Sequence, residues 1–154
     1  MKAFARTLQF LALALALWAA VPGLAGAQTV SDADREALAG PWNGVWTSDT
    51  HVYDASLRME VTADGQIEGA FTWKLRKSNR PAYQSKIGKT GTEYVRGRFD
   101  AQSSLISVDG DRLDDPNKIL GTDKYRLVVS ENRKTLGGIT WDHGSWGGRI
   151  FLRR

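Results

Sequence analysis

Two histidines in this chain each stand near an aspartate: His51 follows Asp49 by two residues, and His143 directly follows Asp142. A histidine beside a carboxylate can serve as an acid–base pair, and two such pairs can share a metal ion. The spacing argues against the metal. The histidines sit on separate segments without the short spacing of a zinc motif, and the chain has no cysteine to complete one. A lone axial His143 for a haem has no further residue to support it. Asp109, Asp111, Asp114 and Asp115 resemble a calcium loop, but Gly110 falls between the first two acids and no glutamate follows at the required offset. A solvated loop is expected there. No Gly-x-Ser-x-Gly nucleophile elbow is present, and the acids are read as lying mainly in loops and on outward strand faces. The expectation is a non-enzymatic protein without cofactor or metal.

Charge and aromatic residues carry more information. Between Lys74 and Arg98 there are eight bases and one acid, Glu93, on an otherwise acidic body. Such a local excess suggests contact with an anion. Arg80, Lys86 and Lys89 lie in the connection from Lys77 to Gly91, around Pro81 and Tyr83. They are candidates for a lipid head group, an acidic glycan or the carboxylate of a ligand. A soluble lid is the plainer reading of the same charges, and export makes nucleic acid an improbable partner. Of the tryptophans, Trp42, Trp46 and Trp146 read as core, whereas Trp73 and Trp141 fall near strand ends where they could wall a flat or apolar ligand.

These side chains need a scaffold, and the chain describes one. Lys2 and Arg6 precede an apolar run from Leu8 to Val21, and Ala25-Gly26-Ala27 marks a cleavage site. That is the pattern of a secretory signal peptide over residues 1–27. The apolar run is too short for a transmembrane helix, and without cysteine there is neither a lipid anchor nor a disulfide. Cleavage would leave 127 residues with 19 bases and 17 acids, enough for one domain. The exported location, periplasmic or secreted, follows from this segment. Residues 28–40 read as a short helix with linker, capped by Ser31 and stopped at Gly40-Pro41.

Residues 41–154 read as strands. A glycine flanked two residues either side by larger residues occurs in Trp42-Gly44-Trp46, Ile67-Gly69-Phe71, Val95-Gly97-Phe99 and Trp146-Gly148-Ile150, with Thr135-Gly137-Ile139 a weaker copy. Residues two apart share a strand face, so glycine recurs among core residues, as in a sheet bent until it closes. Eight strands are expected, near 42–47, 55–62, 67–76, 92–100, 104–108, 124–130, 135–141 and 146–153. Asp64-Gly65 marks a hairpin. The fold class is all-β, an antiparallel up-and-down barrel of eight strands with a short N-terminal helix; a two-sheet sandwich satisfies the same period. Alternating strands put the short turns at one end. Ser48–Asp54, Lys77–Gly91, Asp109–Thr122 and Asp142–Ser145 gather at the other, with both histidines.

Gly44-Val45-Trp46 after a short helix resembles the Gly-x-Trp of lipocalins. Thr122-Asp123-x-Tyr125 is similar to their Thr-Asp-Tyr, and Arg149 or Arg153 stands for their last-strand arginine on the first-strand tryptophan. Tyr94 to Asp100 looks like an avidin segment, although Phe71 and Trp73 replace the tyrosine and serine that avidins turn toward biotin. The chain thus resembles the calycins, which implies a barrel holding a small ligand at its open mouth. On this reading Phe71, Trp73, Phe99 and Trp141 point inward as apolar contacts, His143 lies at the mouth, and Arg80, Lys86 or Lys89 meets an anionic group. The alternative is an interaction module or inhibitor whose lumen is packed shut and whose basic loop engages a macromolecule. The two differ in the volume left inside the barrel.

Overall fold

The computed structural model describes residues 29–142, 144 and 147–154. The expected signal segment, His143 and Trp146 lie outside them. A short helix, α1 (Asp32–Leu38), leads into eight strands: β1 (Gly40–Thr47), β2 (His51–Val61), β3 (Gln66–Ser78), β4 (Thr90–Asp100), β5 (Leu105–Asp114), β6 (Lys124–Val129), β7 (Thr135–Trp141) and β8 (Gly147–Arg153). Each strand pairs antiparallel with the next, and β8 returns to β1 from Asn43 opposite Arg153 to Thr47 opposite Arg149. The sheet therefore closes into a barrel without free edges, and the sandwich is set aside. No helix among the described residues is long and apolar enough to cross a membrane.

Period two decides which side chains fill the interior. Leu57, Met59 and Val61 of β2, Ile67, Phe71, Trp73 and Leu75 of β3, and Val95 and Phe99 of β4 are all buried, as are Tyr125, Leu127 and Val129 of β6. At the end with the short turns, the Ser31 side chain caps α1 by accepting from Asp34 N at 3.1 Å. Leu38 is fully buried, and the Trp42 indole donates to its carbonyl at 3.0 Å. Arg149 and Arg153 are exposed on β8, and the arginine found over a first-strand tryptophan lies over Trp42 rather than the Trp46 of the Gly-x-Trp segment. Arg154, one residue past β8, lies 5.1 Å from the Trp42 ring and donates to Ala39 O at 2.7 Å.

Close backbone approach explains Gly44 and Gly97, whereas at Gly148 the Trp46 ring takes the space of a side chain. A Cβ at Gly44 would lie 1.9 Å from Phe151 O, and one at Gly97 2.0 Å from Ser107 O. Only glycine allows neighbouring strands to coil this tightly at those points. In β7 the glycine that does this is Gly138, whose Cβ would stand 2.0 Å from Arg126 O; Gly137 meets nothing nearer than Phe151 Cδ2 at 3.7 Å. The inward set is therefore Leu136, Gly138 and Thr140, and the reading Thr135-Gly137-Ile139 is one residue out of register. Two adjacent glycines carry no facial information. The flanking residues misled as well, because Ile139 is exposed and Thr140 buried.

Three connections differ from expectation. The anticipated loop Ser48–Asp54 contracts to a tight turn: Ser48 Oγ accepts from Thr50 N at 3.2 Å and from His51 N at 3.1 Å, and β2 starts at His51. A bulge on β3 at Arg76 shifts the pairing beyond Tyr53. β5 runs to Asp114, well past Val108, with a bulge that places Gly110 opposite Val95 and Arg112 opposite Tyr94. Asp109 and Asp111 thus stand on a strand and pair with Arg126 at 3.8 Å and Arg96 at 3.6 Å, respectively. The long connection after β3 contains a 3-10 turn, Pro81–Lys86.

Candidate functional site

The end that carries the 3-10 turn holds a pocket of about 60 Å³. Trp46 at the end of β1, Tyr53 in β2, Trp73 in β3, Glu93 near the start of β4 and Tyr125 in β6 line it, with Ile119, Leu120, Gly121 and Asp123 from the β5–β6 connection. Below it the barrel is filled. Phe71 stacks on Trp73 at 4.9 Å and on Tyr125 at 4.7 Å, with the rings 21° from parallel in each pair. The open space is enough for a handful of water-sized groups and far below the roughly 300 Å³ or more of sites for drug-sized ligands.

Glu93 is 1% exposed. Its Oε1 accepts from Asp123 N at 2.8 Å, and its Oε2 accepts from the Tyr125 hydroxyl. Burial pushes its carboxyl up to about 7, against these hydrogen bonds, which favour the charged form. Asp123 accepts from Thr140 Oγ1 at 3.3 Å, and that hydroxyl accepts from the Trp46 indole at 2.7 Å. Burial raises Asp123 to about 6, helped by the charge of Asp142. The Tyr125 phenol is pushed well up by burial and by the Glu93 charge beside it. The Trp73 indole N–H lies near enough to Glu93 to favour its ionised form, yet has no hydrogen bond of standard geometry.

The roof comes from two connections. Tyr53 Oη donates to Ile119 O at 2.6 Å, and Asp115 Oδ2 accepts from Leu120 N at 2.7 Å. Lys86 Nζ donates to Lys118 O at 2.7 Å, which ties the 3-10 turn to the β5–β6 connection. Tyr83 of the turn meets the His51 ring edge-on at 4.6 Å, and His51 stacks on Tyr53 at 5.9 Å. Burial, reinforced by Arg80, lowers the His51 imidazole from its ordinary range. His51 is thus a buried member of the roof rather than a loop residue, and its Nδ1 lies 2.6 Å from Thr50 Oγ1. Among the described residues no three histidine, aspartate or glutamate side chains are grouped to hold a metal ion.

The structure sorts the expected site residues into four places. Trp73 lines the pocket and Phe71 forms the layer beneath it. Phe99 is buried at the opposite end, with Arg133 6.0 Å from its ring. Trp141 does not point inward: by the β7 register it stands on the outer face, 5.3 Å from the Arg126 guanidinium. Arg80, Lys86 and Lys89 belong to the roof connection and none lines the pocket; Arg80 and Lys89 are exposed. Glu93, Asp123, Tyr53, Tyr125 and Thr140 were missed as site residues. The signal for two of them was parity. Glu93 stands two residues before inward Val95, and Asp123 two before inward Tyr125, so neither acid belongs to an outward face or a solvated loop.

No family model matches the chain, and neither a curated protein nor a solved structure matches it significantly.

Proposed function

We propose that this is an exported, non-enzymatic binding protein of calycin-like architecture that holds a small ligand in the mouth pocket. The observation that carries the reading is a pocket of about 60 Å³ with aromatic walls and a buried polar floor, roofed by two connections. Buried polar groups left short of partners cost stability unless something completes them. The Trp73 N–H is such a group. Both Glu93 oxygens already accept hydrogen bonds, which suits a fixed acceptor better than a group that must swing to transfer protons. The size of the pocket favours a ligand, or a ligand tip, of few atoms over a long lipid chain.

The filled lumen beneath Phe71 favours a second reading, an interaction module. In that case the exposed Arg80 and Lys89 would dock on an anionic lipid surface or an acidic glycan. A plug separates the two. Gly121 is an exposed residue of the pocket lining where a Cβ meets nothing within 4 Å, so Gly121→Phe should set a ring at the pocket rim and leave the barrel folded. Protein purified from its own host should carry a small-molecule mass in native mass spectrometry, and the Gly121→Phe variant should lose it. If both are bare, and the wild type instead shows salt-sensitive binding to anionic vesicles or glycan, the second reading replaces the first.

A further inference from the structure

We infer that the mouth pocket selects a small organic cation bearing N–H groups, of the amidinium or guanidinium class. This rests on reading the pocket as a ligand site and names the chemistry of its guest. Two carboxylates, Glu93 and Asp123, enter one small pocket, and among the described residues neither forms an ion pair. Buried charges are ordinarily paired or hydrogen-bonded to a cation. Among the described residues, the pocket lining includes no lysine, arginine or histidine. Lys86, in the roof, is already committed to Lys118 O.

The aromatic walls fit the same guest, whereas the Trp73 N–H, a donor, gains no acceptor from it. Trp46, Tyr53, Trp73 and Tyr125 present aromatic rings around the acids, and aromatic faces attract cations, more strongly where water is excluded. A carboxylate offers about four acceptor sites. Glu93 uses one on each oxygen, and Asp123 accepts from Thr140, so acceptor capacity remains for N–H donors. An anion would meet like charge at the floor, which runs against the expectation of an anionic ligand group drawn from the roof lysines.

Protonation bears on the same choice. Among the described residues, the titratable groups that interact with Glu93 and Asp123 are each other, Tyr53 from β2, Tyr125 from β6 and Asp142 just after β7. All are acids or phenols. The two carboxyls, raised to about 7 and about 6, therefore become a stronger cation site as pH rises from 5.5 to 8.

Guanidinium and urea have nearly the same planar shape and differ in charge, and urea also offers an acceptor to the Trp73 N–H. The signal-free protein is titrated calorimetrically with millimolar guanidinium chloride, urea and sodium acetate at matched ionic strength, at pH 5.5 and pH 8. At pH 8 guanidinium should bind at least tenfold more tightly than urea, with the ratio shrinking at pH 5.5. The Glu93→Gln/Asp123→Asn variant, its fold checked by near-UV circular dichroism, should lose the preference, and Gly121→Phe should bind neither. Equal or tighter binding of urea overturns the cation inference and leaves the small-ligand reading standing; tighter binding of acetate does the same. If no probe gives heat and the host-derived protein carries no small molecule, both fall together.

Discussion

Gly138→Val should cost about 4 kcal/mol or more, or leave the protein insoluble, while its neighbour Gly137→Val should change stability by only about 0.5 kcal/mol. The two substitutions add the same atoms to adjacent residues of β7. At Gly138 the new Cβ would stand 2.0 Å from Arg126 O and 2.9 Å from Leu127 Cα, both backbone atoms of β6 that cannot yield without breaking the ladder. At Gly137 it meets only the edge of the Phe151 ring at ordinary contact distance. Valine at that partly buried strand position also gains β-propensity. Urea denaturation of the two variants checks this. Equal losses would show that the barrel does not close through a tight β6–β7 contact.

The second large effect is on pH dependence. Raising the pH from 5 to 8 should cost the protein on the order of 2–3 kcal/mol through Glu93 alone. Burial lifts the folded carboxyl from 4.5 to about 7, at about 1.4 kcal/mol per tenfold change in proton affinity, before water entering the pocket reduces it. The folded protein holds the proton that the unfolded chain releases, so stability is full below the unfolded pKa and is lost as pH rises through the folded one. Asp123 acts in the same direction between 3.8 and about 6. His51 opposes them at the acid end, because its lowered folded pKa removes stability as the unfolded imidazole charges. The difference between wild type and Glu93→Gln isolates the glutamate. The variant should be the more stable at pH 8 and should lack most of the decline between pH 5 and 7. A wild type whose stability relative to Glu93→Gln rises with pH would contradict a buried carboxyl that has hydrogen bonds but no cationic partner.

The barrel was legible because closure writes a repeated signal. Inward residues such as Ile67, Phe71, Trp73 and Leu75 alternate cleanly with polar ones, and Gly44 and Gly97 mark where backbones touch. Register failed in β7, where consecutive glycines erase the alternation and an apolar Ile139 faces outward beside an inward Thr140. That one-residue slip also sent Trp141 to the wrong face. Strand ends were hard to place where polar residues continue the ladder, as at His51 and from Asp109 to Asp114. The candidate site was half legible. Trp73 and the mouth with the long connections could be read from strand direction and loop length. The acids at its floor were not read, although strand parity contained them, because a charged residue in a strand is ordinarily outward. Only three-dimensional closure brings Glu93 of β4 beside Asp123 and Tyr125 across the bulge at Gly110.

The central claim is that the mouth pocket, rather than the outer surface, receives the ligand. Two buried indoles report on it from opposite ends of the barrel: Trp73 in the pocket wall without a hydrogen-bond partner, and Trp42 bonded to Leu38 O beneath the closed end. In a 15N–1H correlation spectrum recorded while a small-molecule extract of the host is added, the Trp73 indole resonance should move and the Trp42 resonance should stay. Movement confined to Trp141 and the backbone amides around Arg80 and Lys89, with Trp73 unchanged, would contradict the account and place binding on the outside of the barrel.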